Sequence, residues 1–261
     1  MDMKTYYYLI HIQYLGFRYH GWQKQPGVKT VEFMIEKTLG FVLGPAAFKI
    51  LGSSRTDAKV SANHSAFMLF VQDSLIMDSL QKELNKNLPN DIRVINIEQK
   101  DQAFNIINTP RIKEYLYLFS FGRKNHPFSA ALMSCFQEEL DIDLMKKGAV
   151  LFEGKHNFIQ YCTKPGPETD LEREVLVSRI EENTAVTASF FPEKSYAFHI
   201  HSKGFLRYQV RLIMGQLLRL GRNQIQLDDI KASLLGNDGH PLRQIAPASG
   251  LMLNKIIFTN I

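Results

Sequence analysis

Two hydrophobic periods alternate along this chain, and the switches between them lay out its elements. Tyr6 to Tyr14 is a run of aromatic and branched residues, which predicts a strand ending at Gly16. Val31, Met34, Ile35, Leu39, Val42 and Leu43 then recur at helical spacing and stop at Gly44-Pro45. Further strands are predicted at Phe48 to Leu51, Ala66 to Val71 and Ile92 to Ile97. Between the last two, Leu75, Ile76, Leu80 and Leu84 mark an amphipathic helix, with Asp73 and Ser74 as its expected capping residues. The order strand, helix, strand, strand, helix, strand is that of a split βαβ, ferredoxin-like sheet.

After Thr109-Pro110 the pattern partly recurs. Tyr115 to Phe119 reads as a strand, Asp143 to Phe152 as a helix, and Val175 to Ile180, Thr184 to Phe190 and Tyr196 to His201 as strands. A long helix over Arg207 to Leu220, a short one over Leu227 to Leu235 and a final strand over Leu251 to Phe258 complete the chain. The expected fold class is α+β. Two ferredoxin-like halves, 1–109 and 110–261, would form a largely antiparallel mixed sheet flanked by helices, with the active-site cleft between them.

Composition narrows the function classes. With 22% charged and 45% hydrophobic residues among 261, the chain reads as an ordinary folded protein. Its 31 basic and 26 acidic residues leave a formal charge of +5, a mild hint of an anionic partner. Cys135 and Cys162 form no Cys-x-x-Cys pair, which argues against a disulfide framework and a structural zinc site. The first residues lack a basic start followed by an apolar core, and no 18-residue apolar stretch occurs, so a cytoplasmic protein without a membrane segment is expected.

Chemistry-bearing residues cluster in a few places. Ser53-Ser54-Arg55-Thr56-Asp57 follows a strand and gathers a guanidinium, a hydroxyl and a carboxylate in three consecutive residues; an Asx-turn or helix cap is the plain alternative. The segment Tyr14 to Gln23, with Phe17, Arg18, Tyr19, His20 and Trp22, mixes aromatics and cations suited to stacking on bases, or packs a turn around one buried Trp. Tyr115 and Tyr117 share one strand face. Arg207 and Arg211, four apart, would share one helix face, where they bind an anion or simply face solvent. His199 and His201 lie on one strand face but are too few for a metal site. There is no Gly-rich phosphate loop, G-x-S-x-G elbow or H-E-x-x-H motif, so neither a nucleotide cofactor nor a metal is expected.

Taken in order, these segments resemble the TruA family of tRNA pseudouridine synthases. Tyr14-Leu15-Gly16 through Gly21-Trp22-Gln23-Lys24-Gln25 is similar to the family's opening Tyr-Asp-Gly…Gly-Trp-Gln-x-Gln, and Arg55-Thr56-Asp57-Ala58 to its catalytic Gly-Arg-Thr-Asp segment. Leu84-Asn85 with Leu88 to Val94, Lys113 to Tyr117, Gly154 to Phe158, Phe205 to Gly215 with Val210-Arg211, and Ala246 to Leu251 match its later motifs in register over about 240 residues.

The resemblance implies a cofactor-independent synthase that converts uridine to pseudouridine in structured RNA, most simply the tRNA anticodon stem-loop. It implies Asp57 as nucleophile, Tyr115 as the ring stacked on the uracil, and Arg211 as the cation paired with Asp57. Arg55, Thr56, Arg207, Trp22 and Gln23 become substrate contacts, Arg55 filling the gap left by a flipped base. RNA and a second copy of the chain, as a homodimer, are the implied partners. Ribosomal RNA as substrate, or a binding module without turnover, are the alternatives. Two departures touch the nucleophile loop: Lys59 and Ser61 stand where the family has Gly and His. Lysine tolerates positive φ poorly, so a differently shaped loop is expected after Asp57.

Overall fold

The computed structural model describes residues 4–236, 240 and 242–259 and is α+β throughout. The chain divides into two units, one of residues 1–111 with 253–261 and one of 112–252.

The first unit contains β1 (Tyr6–Tyr14), α1 (Val31–Leu43), β2 (Phe48–Gly52), β3 (Ser61–Val71), α2 (Met77–Asn87) and β4 (Ile92–Lys100). β1 pairs antiparallel with both β3 and β4, and β2 pairs antiparallel with β3, which gives the order β4-β1-β3-β2 of a split βαβ sheet. The apolar run of β1 is explained by this central place: Tyr8, Leu9, Ile10 and Ile12 are all essentially inaccessible. Thr30 caps α1 through its side chain, which accepts from the Phe33 amide, and Val31, Ile35 and Leu39 form the buried stripe. The helix start expected at Asp73-Ser74 is corrected: α2 opens after Ile76 with no side-chain cap. The Tyr8 hydroxyl accepts from the Leu75 amide at 2.8 Å instead, so a core tyrosine holds the approach to the helix.

The second unit contains β5 (Arg111–Phe121), β6 (Ser134–Phe136), α3 (Ile142–Val150), β7 (Gly154–Asn157), β8 (Glu172–Glu182), β9 (Tyr196–Ser202), α4 (Gln209–Gly221), α5 (Leu227–Ser233) and the start of β10 (Leu251–Phe258). Antiparallel pairings give the order β5-β9-β8-β7, and the short β6 runs parallel to β5. α3 packs on β8 and α4. The strand expected over Thr184 to Phe190 does not form. The Asn183 side chain bonds both the amide and the carbonyl of Val186 and so folds that segment into a turn. Among the described residues no helix is long and apolar enough to cross a membrane.

Four histidines in the sheets are held below their ordinary pKa of 6.5, in each case chiefly by burial. In the first unit His11 lies 2.9 Å from both His64 and Glu98. In the second, His199 lies 3.6 Å from Glu181, and His201 is its neighbour on the same strand face. Because the folded protein favours neutral rings, the unfolded chain binds more protons below 6.5, and stability there rises with pH. Urea unfolding should therefore show full stability above about pH 7 and a progressive loss as pH falls through 6.5. His11→Gln should weaken that dependence, and a flat profile from about pH 7.5 to 5.5 would contradict the assignment.

Candidate active site

The loop that carries Asp57 is residues 53–60, between the end of β2 and the start of β3. Its shape is set by a second loop, residues 15–23, laid against it backbone to backbone. The Trp22 amide donates to the Thr56 carbonyl at 3.1 Å and the Lys59 amide to the Tyr19 carbonyl at 3.0 Å. The Gly16 amide donates to Ser61 Oγ at 2.9 Å, and Ser61 is buried. Two glycines allow the approach. A Cβ on Gly16 would meet the Val60 carbonyl oxygen at 2.0 Å, and one on Gly21, at φ +87°, the Thr56 carbonyl oxygen at 2.5 Å.

Within this frame Thr56 is buried, and its hydroxyl bonds the Tyr14 hydroxyl at 2.8 Å. Thr56 is thus an anchor for its neighbour. Asp57 follows on the partly exposed rim, its carbonyl accepting from the Val60 amide at 3.2 Å, with Arg55, Ala58 and Lys59 exposed around it. Lys59 sits at φ +67°, a left-handed conformation that glycine takes freely and lysine disfavours, so the residue bears strain.

Of the two readings of Trp22, the structure takes the packed turn. The ring is 2% exposed, lies over Gly52, where a Cβ would meet its Nε1 at 2.4 Å, and packs at a tilt against Tyr14 and Phe67. A ring so covered offers no face to a base. Gln23, beside it, is exposed.

In the second unit, Tyr115 lies on β5 opposite Ile200 of β9 and meets the Phe205 ring edge to face at 5.3 Å. Tyr117, on the same strand face, is fully buried. Its hydroxyl stands 2.9 Å from both Ser134 Oγ and the Pro247 carbonyl oxygen. Burial pushes this phenol well above its usual range, against smaller opposing effects of the Ser134 bond and the Arg211 charge.

Arg211 projects from the first turn of α4 and is partly buried. Its Nε donates to the Ala246 carbonyl at 2.8 Å, while the Ala246 amide donates to the Arg211 carbonyl at 3.0 Å. Gly215, one turn on, makes this reciprocal clamp possible, since a Cβ there would meet the Gln244 carbonyl oxygen at 1.9 Å. The helix begins at Gln209, so Arg207 precedes it and the expected shared helix face does not exist. Both guanidinium groups nevertheless lie over one ring, that of Tyr208, at 5.5 Å for the exposed Arg207 and 5.1 Å for Arg211. Tyr208 itself is left-handed, at φ +64°.

Sequence reasoning passed over three supports: Tyr14 as partner of Thr56, Ser61 as a cap on Gly16, and Tyr208 as the ring beneath both arginines. Tyr14 and Tyr208 lie inside matched motifs, which was the available signal. Ser61 stood out only as a departure.

The sequence model of one protein family, tRNA pseudouridine synthase, matches residues 149–259. The chain is 33% identical to the tRNA pseudouridine synthase A of Mesoplasma florum over 96% of its length and 98% of that protein's. It is 29% identical to the enzymes of the same name from Thermodesulfovibrio yellowstonii, over 95% of this chain and 97% of that one, and from Aster yellows witches'-broom phytoplasma, over 98% and 100%.

The loop contact makes a graded prediction. Gly16→Ala places a Cβ inside a backbone carbonyl and should cost about 2–4 kcal/mol in urea unfolding. Gly27→Ala, at φ +76° with nothing within 4 Å of the added Cβ, should cost only the backbone strain, about 1 kcal/mol. Equal costs would mean that the close approach of the two loops does not shape the site.

Proposed function

Because the chain belongs to the tRNA pseudouridine synthase family, we propose that it isomerises uridine to pseudouridine in tRNA, within the anticodon stem-loop, with Asp57 as the nucleophile. The observation that carries the residue assignment is the loop itself: a partly exposed carboxylate on a strained turn, fixed from behind by Thr56 and by the 15–23 segment, with exposed Arg55 and Lys59 on either side.

The reaction breaks the bond from uracil N1 to the ribose C1′ and forms one from C5 to the same carbon. The hydrogen at C5 leaves as a proton and N1 gains one, so no electron changes hands. An ionised carboxylate suits the work, because it adds covalently and then departs without a cofactor. Tyr115 supplies the aromatic face on which the detached uracil turns, and Arg211 the catalytic positive charge, held by Ala246. A paired or stacked uridine hides C5 and N1, so the base leaves its stack, and the exposed Arg55 takes the vacated space. Arg207, exposed on the Tyr208 ring, and Gln23 contact the RNA; Trp22 supports the loop from within the core. The protein works as a homodimer in the cytoplasm.

Asp57→Ala should abolish pseudouridine formation in a tRNA transcript while leaving its affinity within about threefold of wild type, since a carboxylate facing phosphate contributes nothing to RNA binding. Product formed by that variant would remove Asp57 from its role. Arg211→Ala should lower kcat by about 100-fold or more, against less than about threefold for an exposed arginine such as Arg179. Mapping pseudouridine in total RNA of cells lacking the gene tests the substrate: lost sites in the anticodon arm support the proposal, and losses confined to ribosomal RNA overturn it.

A further inference from the structure

The nucleophile loop carries a feature that the proposed chemistry does not use. Lys59 is exposed, two residues beyond Asp57, and holds a left-handed backbone at φ +67°. Glycine, the residue of the family pattern at this position, would take that conformation without strain. The strain therefore brings a side chain to a place where the backbone alone does not require one. That side chain reaches Phe17, which is 42% exposed on the 3-10 turn Gly16–Arg18, with the ammonium 5.9 Å from the ring centroid.

The two residues are held in register by the loop contact. Lys59 is anchored through its amide to Tyr19, and the Phe17 turn through Gly16 to Ser61. An exposed ring and an exposed cation are thus fixed side by side next to the candidate nucleophile. The contact between them is weak at this distance and solvated, so the ammonium turns to a phosphate at little cost.

Resting on the reading of the protein as a tRNA pseudouridine synthase, we propose that Phe17 and Lys59 form a nucleotide subsite beside the target uridine. Phe17 stacks the base of the nucleotide adjoining the flipped one, and Lys59 neutralises its phosphate. Flipping a base leaves its neighbour without a stacking partner, and an aromatic face replaces that partner for any base type. Single-stranded RNA with splayed bases is the ligand that uses both groups at once.

The test measures binding of an unmodified tRNA transcript across a salt series, together with pseudouridine formation, for wild type, Lys59→Gly, Lys59→Arg and Phe17→Ala. Loss of one phosphate contact should make the slope of log affinity against log salt shallower by about 0.7 to 1 for Lys59→Gly, with affinity weaker by roughly three- to tenfold. The loss should fall on KM more than on kcat. Lys59→Arg should restore the slope, and Phe17→Ala should weaken affinity with the slope unchanged. Lys59→Gly should melt no lower than wild type, since the strain is relieved, which separates a binding role from a structural one. Wild-type affinity and slope in Lys59→Gly would overturn the subsite while leaving the proposed function intact. Failure of the wild-type protein itself to bind or modify the transcript would remove both.

Discussion

The first unit depends on one constraint, the backbone-to-backbone contact between residues 15–23 and 53–61. It is made of ordinary hydrogen bonds, each worth about 1 kcal/mol net, but it sets the path of the chain through Thr56, Asp57 and Lys59. For the role proposed for Asp57, a fixed position matters more than burial. Here that position comes from glycine on one strand of the contact, buried hydroxyls at Thr56 and Ser61, and a lysine held in a conformation it disfavours.

The second unit solves a similar problem by different means. Arg211 lies in the first turn of a helix, and Gly215, four residues on, lets the 244–246 segment press against it, so the guanidinium and the backbone of one residue both bond Ala246. Tyr208 lies beneath the same guanidinium, and the buried Tyr117 hydroxyl secures the neighbouring Pro247. A long flexible cation is thereby reduced to few conformations, which cuts the entropy lost when it engages a charge. Strain recurs here too, since Tyr208, like Lys59, is a large residue at positive φ. Two left-handed side chains beside two groups assigned to chemistry fit the tendency of backbone strain to collect at functional sites.

How legible each part was follows from the range of the forces involved. β1, α1 and β10 stand close to where hydrophobic period put them, because burial on one face or both writes itself into consecutive residues. The strand expected at Thr184 to Phe190 failed because its residues have strand propensity, while the Asn183 side chain commits the backbone to a turn. Arg207 and Arg211 were four apart in sequence, yet a left-handed Tyr208 ended the helix between them, and they meet over its ring instead. Trp22 carried two readings of equal merit until the position of Gly52 covered its face.

By itself the sequence determined the fold class, the order of the first unit's sheet elements and the family, and it singled out Asp57, Tyr115 and Arg211 as candidates. These rest on period, propensity and ordered motifs, which are properties of neighbours along the chain. Tertiary structure alone decided which of those residues are anchors and which are presented: Thr56 inward on Tyr14, Trp22 into the core, Lys59 outward beside Phe17. The reason is physical. Whether a side chain faces solvent, and whether a lysine adopts a glycine's backbone, depends on contacts between residues far apart in the chain, 45 positions between Gly16 and Ser61, and no local pattern encodes a close approach made possible by a missing Cβ.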